Sequence, residues 1–152
     1  MEIVLYEPEI PPNTGNIGRL CAATETRLHL IEPLGFSLED RYLKRAGLDY
    51  WPYLQLSVWP DWLSFMHGLP ANARLVASSA RRGTAHPCLD FTPMDYLLLG
   101  PESRGLPQAI LDQAHALVRI PIWGRVRSLN LANAAAVLLY EGLRQTKSLE
   151  GK

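Results

Sequence analysis

The chain has 152 residues, of which 15 are basic and 15 are acidic, so its formal net charge is zero. Its hydrophobic fraction of 47% is enough to bury the core of one compact domain. We expect that domain over residues 1–147, followed by a frayed tail over residues 148–152. A neutral chain does not wrap nucleic acid by bulk electrostatics, so any such contact is expected to be local.

The sequence predicts a cytoplasmic protein that is not bound to a membrane. Its first residues carry no basic leader before the short apolar run at Ile3–Tyr6, and no apolar segment is long enough to cross a bilayer. Cys21 and Cys88 are far apart in the sequence, which does not favour a disulfide framework. His86 lies close to Cys88, but no second pair at metal-ligand spacing follows, so no metal site is expected.

Short apolar runs alternate with segments of helical periodicity along the chain. In chain order, we predict a strand at Ile3–Tyr6, a helix capped by Asn13-Thr14 and running to Thr24, a strand at Leu28–Ile31, a helix at Leu38–Ala46, a strand at Leu54–Val58, a helix at Asp61–His67, a strand at Leu75–Ser79, a strand at Tyr96–Leu99, a helix at Pro107–Ala114 that begins with its proline, a strand at Leu117–Ile120 and a helix at Leu131–Arg144. This alternation predicts an α/β fold with an open, mostly parallel sheet flanked by helices.

Ligands of open α/β sheets bind beyond the carboxyl ends of the strands. Three predicted loops lie at that edge. They are Ser78–Thr84, which carries two arginines, Gly100–Gly105, which has one carboxylate, and Pro121–Ser128, which leads into the last helix. Together these loops predict a ligand pocket.

Each of these features also has a purely structural explanation. The glycine spacing of Gly100–Gly105 fits neither a dinucleotide fingerprint nor a phosphate-binding P-loop, and glycines commonly form tight strand-to-helix connectors. Ser128 and Asn130 fit the cap of the last helix. Arg19 lies near the start of the first helix, where a cation is unfavourable unless it reaches a partner or lies over the helix surface.

The order of three motifs resembles the SPOUT methyltransferases. The motifs are Asn13-Thr14-Gly15-Asn16-Ile17-Gly18-Arg19, then Leu99-Gly100-Pro101-Glu102-Ser103-Arg104-Gly105-Leu106, then Arg119-Ile120-Pro121-Ile122 followed by Ser128-Leu129-Asn130. Residues 3–12 and 45–50 resemble the branch of that family that modifies the ribose of the tRNA wobble nucleotide. The resemblance covers nearly the whole chain.

The resemblance implies a SPOUT-type α/β knot, in which the C-terminal part threads back into a trefoil knot, and a homodimer. It implies S-adenosylmethionine as the cofactor, tRNA as the partner, no metal, and methylation of the ribose 2′-hydroxyl at wobble position 34, on cytidine or modified uridine. Three alternatives stay open: a different tRNA or rRNA position, a noncatalytic RNA-binding module, and a flavodoxin-like protein for small molecules. The last is disfavoured because no hydroxyl-rich phosphate loop follows the first strand.

Carried over by motif, the resemblance implies a set of site residues. The expected cofactor contacts are Ser78, Gly100, Glu102, Gly105, Ile120, Ser128 and Leu129. The expected catalytic residues are Arg19, Ser128 and Asn130, and the expected RNA contacts are Asn13, Arg19, Arg81, Arg127 and Tyr140. Because a guanidinium is effectively always protonated, we expect Arg19 to orient a phosphate and the hydroxyl rather than to act as a base.

The four tryptophans are expected to be core or interface anchors. Trp123 is the exception. Because it lies in the arginine-bearing loop, stacking on RNA bases stays open for this residue.

Overall fold

The computed structural model describes residues 1–38 and 50–151. The strands in these residues are β1 (Glu2–Tyr6), β2 (Leu28–Ile31), β3 (Leu56–Trp59), β4 (Arg74–Ser78), β5 (Thr84–Ala85), β6 (Asp95–Leu99) and β7 (Ala116–Arg119). The helices are α1 (Pro11–Ala23), α2 (Trp62–Gly68), α3 (Gln108–Leu111) and α4 (Leu131–Gln145). The strands form one sheet in the order β3-β2-β1-β6-β4-β7-β5, and each pairing is parallel.

The predicted α/β fold with a parallel sheet is confirmed, and each predicted strand has a counterpart. The predicted strand at Leu54–Val58 is shifted to β3, because a 3-10 turn at Trp51–Tyr53 occupies the chain before it. Strand β5 was missed, since two residues are too few to show a period. The predicted helix at Leu38–Ala46 falls almost wholly outside the described residues, and the trefoil knot stays a prediction.

Two predicted helix starts were wrong. Helix α1 begins at Pro11, two residues before the predicted cap, so Asn13 and Thr14 are buried in its first turn. Proline is tolerated there because the first N–H groups of a helix lack partners anyway. Helix α3 is confined to Gln108–Leu111, and Pro107 is its N-cap rather than its first helical residue.

The sheet has an apolar core on each face. Helices α1 and α4 pack against each other on one face, whose buried side chains are Ile3, Leu5, Ile17, Cys21, Leu28, Leu30, Val76, Phe91, Leu97, Leu99, Val118, Ala135, Leu138 and Leu139. Helices α2 and α3 cover the other face, whose buried side chains are Val4, Ile31, Phe65, Leu75, Ala77, Tyr96, Leu98, Ile110 and Leu111. A sheet covered on both faces leaves the carboxyl ends of its strands as the place for a site.

His29 is a buried polar residue within the second of these cores. Its Nε2 is hydrogen-bonded to the carboxylate of Glu2, and its Nδ1 accepts a hydrogen bond of 3.0 Å from the indole N–H of Trp59. Burial lowers the pKa of His29, and this effect outweighs the opposing effect of Glu2. An imidazole whose Nδ1 accepts a hydrogen bond is neutral, so the indole reinforces the effect of burial.

We expect Trp59→Phe to raise the pKa of His29, because the variant removes the N–H donor that faces Nδ1. In the wild type the lowered pKa means that stability is complete above the unfolded value of about 6.5 and decreases as the pH falls below it. The variant should lose less stability over that range. An NMR titration of the imidazole measures the pKa, and Trp62→Phe is the matched control because Trp62 donates to Gln113 instead. An unchanged pKa in Trp59→Phe would contradict this explanation.

Candidate functional site

Three loops converge on one cavity of about 580 Å³ at the carboxyl ends of β4, β6 and β7. These strands are neighbours in the sheet, in the order β6-β4-β7, which is why loops remote along the chain meet. The volume lies within the range of about 300–1,000 Å³ that is typical of small-molecule pockets. The structure therefore has the ligand pocket that the three loops predict.

The cavity brings together most of the residues expected at the site. Its lining contains all seven expected cofactor contacts, Ser78, Gly100, Glu102, Gly105, Ile120, Ser128 and Leu129, and two expected RNA contacts, Arg81 and Arg127. The lining also contains Arg82, Arg104 and Ile122, which lie in the predicted loops but were not named as contacts, and Leu106, Leu111 and Ala134, which lie outside those loops and were missed. Arg104 and Leu106 lie inside the second motif, so the motif itself carried their signal.

Two glycines shape the second loop. A Cβ placed on Gly100 would lie 2.4 Å from the backbone nitrogen of Leu106, so the loop closes on itself only without a side chain there. Gly105 has φ +69°, a conformation that glycine adopts at no steric cost, and a Cβ on it would meet no atom within 4 Å. The loop therefore exposes backbone that a bound molecule can approach closely.

Glu102 fastens this loop to the start of α1. Its carboxylate accepts hydrogen bonds from the backbone N–H of Glu9 at 2.9 Å and of Ile10 at 3.2 Å. It also accepts one of 3.0 Å from the side-chain amide of Asn13. The N-cap residue Ile10 has no capping side chain of its own, so Glu102 supplies the negative charge that a helix N-terminus favours. Both carboxylate oxygens thus accept hydrogen bonds from the protein itself. The motif alone predicted Glu102 as a cofactor contact and did not show these bonds.

Asn130 extends this connection to the last helix. Its side-chain oxygen accepts from the backbone N–H of Ala132 at 2.9 Å and of Asn133 at 3.3 Å, which makes it the N-cap of α4. Its amide nitrogen donates to the side-chain oxygen of Asn13 at 2.9 Å. Asn13 is only 7% exposed and is bonded at both ends of its amide, to Asn130 and to Glu102. Contact between Asn13 and RNA stays a prediction.

A second set of bonds joins the same two loops. The carboxylate of Glu9 accepts from the backbone N–H of Ser103 at 2.9 Å and from its hydroxyl at 2.7 Å. These bonds hold the pKa of Glu9 below its usual value. Arg104 forms an ion pair with Glu7. Each of the two loops, the one after β1 and the one after β6, thus supplies at least one carboxylate that accepts hydrogen bonds from the other.

Arg19 and Tyr140 lie outside the lining of the cavity in their own chain. Arg19 is an exposed residue of α1, and its guanidinium carbon lies 5.0 Å from the ring centroid of Tyr50. Tyr140 is 48% exposed on α4. Of the three expected catalytic residues, Ser128 lines the cavity, Asn130 caps α4, and Arg19 lies against Tyr50. One chain does not bring the three together around its own cavity.

The structure also bears on metal ions and membranes. Across residues 1–38 and 50–151, no group of three or more His, Cys, Asp and Glu side chains is placed to hold a metal ion. Within the same residues, no helix combines the length and the apolar character that crossing a bilayer requires.

We expect Glu102→Gln to lower the free energy of unfolding by about 1–3 kcal/mol, because a neutral amide offers one acceptor oxygen where a carboxylate now satisfies three donors. Urea denaturation measures the loss. Glu150→Gln is the control, since Glu150 is an exposed residue beyond α4. Equal urea midpoints for Glu102→Gln and the wild type would show that the carboxylate does not fasten the loops.

The site belongs to a chain with close known relatives. Residues 1–140 match the SpoU rRNA Methylase family. A tRNA (cytidine(34)-2'-O)-methyltransferase of Methylovorus glucosotrophus is 53% identical over 146 residues, which are 95% of this chain and 94% of that protein. A solved structure concerned with 2-OH methylation of C/U34 on tRNA superposes with a TM-score of 0.93 at 49% identity, over 99% of this chain and 97% of the other.

A more distant relative was solved with a ligand. The SpoU methyltransferase AviRb of Streptomyces viridochromogenes, in complex with the cofactor AdoMet, superposes with a TM-score of 0.83 at 29% identity, over 97% of this chain and 61% of that one. The predicted resemblance to the SPOUT methyltransferases is therefore confirmed. With a match that spans residues 1–140 of 152, this chain belongs to the SpoU rRNA Methylase family.

Proposed function

We propose that this chain methylates the ribose 2′-hydroxyl of tRNA nucleotide 34, a cytidine or a modified uridine, with S-adenosylmethionine as the methyl donor. The observation that carries the proposal is the cavity between the three loops, lined by the motif residues of a methyltransferase family. The relative from Methylovorus glucosotrophus, named for this reaction, is 53% identical over 95% of the chain. Because tRNA is used in the cytoplasm, the proposal includes a cytoplasmic location.

The lining of the cavity fits this cofactor. Leu106 and Ile122 offer apolar surface for an adenine ring, and the backbone around Gly105 is open to close approach. Such a mixture of apolar side chains with a few polar groups is typical of cofactor sites. When bound, the cofactor supplies an electrophilic methyl carbon on a positively charged sulfur. In this proposal Glu102 acts by holding the loop in shape, since its oxygens are already bonded to the start of α1.

The protein's own residues align the RNA. The 2′-oxygen must approach the methyl carbon in line with the bond that breaks, and it must lose its proton as the new bond forms. Arg19 stays protonated, so it binds a phosphate and orients the hydroxyl, whose proton passes to water rather than to the guanidinium. Arg81 and Arg127 at the cavity bind the flanking phosphates, and Ser128 contacts the ribose. Asn130 positions Ser128 by capping α4.

We propose further that the chain acts as a homodimer in which Arg19 serves the cavity of the partner subunit. Arg19 lies outside the lining of its own cavity, on a helix that packs beside α4. These two helices and the N-cap of α1 expose apolar side chains, including Ile10 at 44%, Val137 at 37% and Tyr140 at 48%. An isologous dimer through α1 and α4 covers these side chains and adds the missing guanidinium to each site.

Incubation with methyl-labelled S-adenosylmethionine and tRNA from a strain that lacks this methylation tests the reaction. We expect label at the 2′-oxygen of nucleotide 34, and at least a hundredfold less with Arg19→Ala because one oriented cation is lost at the reacting group. The affinity for S-adenosylhomocysteine, measured by calorimetry, should stay within about threefold of the wild type, since Arg19 lies outside the cavity.

Arg27→Ala is the matched control for Arg19→Ala. Arg27 is an arginine just before β2, at the amino end of the sheet, and it bonds to Ser57 and Gln55. Transfer by this variant should equal that of the wild type. Wild-type protein that leaves tRNA unlabelled would refute the proposed reaction, and label at another position would identify a different RNA target within the family.

Mixing two inactive variants tests the shared site. If Arg19 acts across the dimer, a mixed dimer of Arg19→Ala and Ser128→Ala subunits contains one site with both side chains intact. When equal amounts of the two variants are dissociated, mixed and allowed to reassociate, half of the dimers are mixed and each has one intact site of two. The mixture should therefore regain about one quarter of the wild-type activity. Sedimentation velocity should show dimers throughout. A mixture that stays inactive although mixed dimers form would place Arg19 at the cavity of its own chain.

A further inference from the structure

We infer that Trp123 stacks on an unpaired base of the tRNA anticodon loop while a neighbouring ribose lies at the cavity. This inference rests on the proposed function, and it adds a residue that selects single-stranded RNA at that same site.

Trp123 is placed at the edge of the cavity but not inside it. Its backbone directly follows Ile122, which lines the cavity, so the two Cα atoms are about 3.8 Å apart. Its side chain is 92% exposed, the largest fraction among the exposed large hydrophobic side chains of the described residues. A Cβ built on the following Gly124 would meet no atom within 4 Å apart from its two chain neighbours, so the rest of the protein does not crowd this part of the loop. A planar base has room to lie against this ring.

The charges around Trp123 favour RNA over a protein as its partner. Arg125 and Arg127 follow in the same loop, and Arg127 lines the cavity together with Arg81. In residues 1–38 and 50–151, the guanidiniums of Arg81, Arg125 and Arg127 form no hydrogen bond or ion pair with another residue. Guanidiniums without an acidic partner are available to the phosphates of a nucleic-acid strand, and an aromatic ring beside arginines is the usual arrangement for single-stranded RNA.

Trp123 also lies outside the two helices of the proposed dimer surface. That surface lies on α1 and α4, and Trp123 belongs to the loop between β7 and α4. An anticodon loop has unpaired bases on both sides of the nucleotide to be methylated. A base that stacks on Trp123 holds the strand while the arginines bind its phosphates, which keeps the target ribose at the cavity.

Fluorescence anisotropy with a labelled RNA hairpin that carries the anticodon loop tests the inference. We expect Trp123→Ala and Trp123→Leu to weaken binding by about tenfold or more, the effect of losing one stacked base, and Trp123→Phe to retain affinity within about threefold. KM for tRNA should rise in the first two variants. The affinity for S-adenosylhomocysteine should not change, because Trp123 does not line the cavity.

Tyr53→Ala is the matched control, since Tyr53 is an aromatic residue that is 75% exposed and lies just before β3, at the amino end of the sheet. It should bind the hairpin as the wild type does. Sedimentation velocity of each variant shows whether it forms the same dimer as the wild type.

Wild-type affinity in Trp123→Ala, with methyl transfer intact in the wild type, would overturn the inference and leave the proposed function standing. Retained binding in Trp123→Leu would show that stacking is not needed, and a dimer that dissociates in Trp123→Ala would assign the side chain to a protein interface; either result would overturn the inference as well. Wild-type protein that neither binds the hairpin nor transfers methyl would overturn both.

Discussion

The carboxylate of Glu102 is the contact on which the site depends. It accepts hydrogen bonds from the backbone of Glu9 and Ile10 and from the amide of Asn13, and Asn13 in turn accepts from Asn130 at the cap of α4. A hydrogen bond to a charged group contributes about 1.5–3 kcal/mol. These few bonds join three segments that are remote along the chain. The start of α1 therefore holds the cavity in shape, although it does not line it.

The same contacts explain how a chain of zero net charge presents positive charge where RNA must bind. Several acidic residues near the site are bonded within the protein. Glu102 accepts hydrogen bonds at the start of α1, Glu9 accepts from Ser103, and Glu7 forms an ion pair with Arg104. The arginines at the cavity edge, Arg81 and Arg127, have no such internal partner among the described residues. Local charge therefore arises from which ionic groups are paired, and composition alone does not show it.

The sequence was sufficient for the fold class and for the loops of the site. Periodicity placed β2 at its observed bounds, and the position of three loops after predicted strands predicted the cavity. It was not sufficient for the role of Glu102, because its bond to Glu9 joins residues 93 positions apart and only the sheet order brings them together. The start of α1 was misplaced because Asn13-Thr14 was taken as its cap, although the prolines just before this pair are favoured in the first turn of a helix. Nor does a sequence show that Arg19 lies outside the cavity of its own chain.

The central claim is that the three loops form one cofactor site. Hydrogen–deuterium exchange of the protein with and without saturating S-adenosylhomocysteine tests it most directly, since exchange reports local opening along the whole backbone. We predict slower exchange in residues 78–84, 99–106 and 120–130 together, with α2 on the far side of the sheet unchanged. Protection of only one loop, or protection confined to residues outside the cavity lining, would contradict the claim.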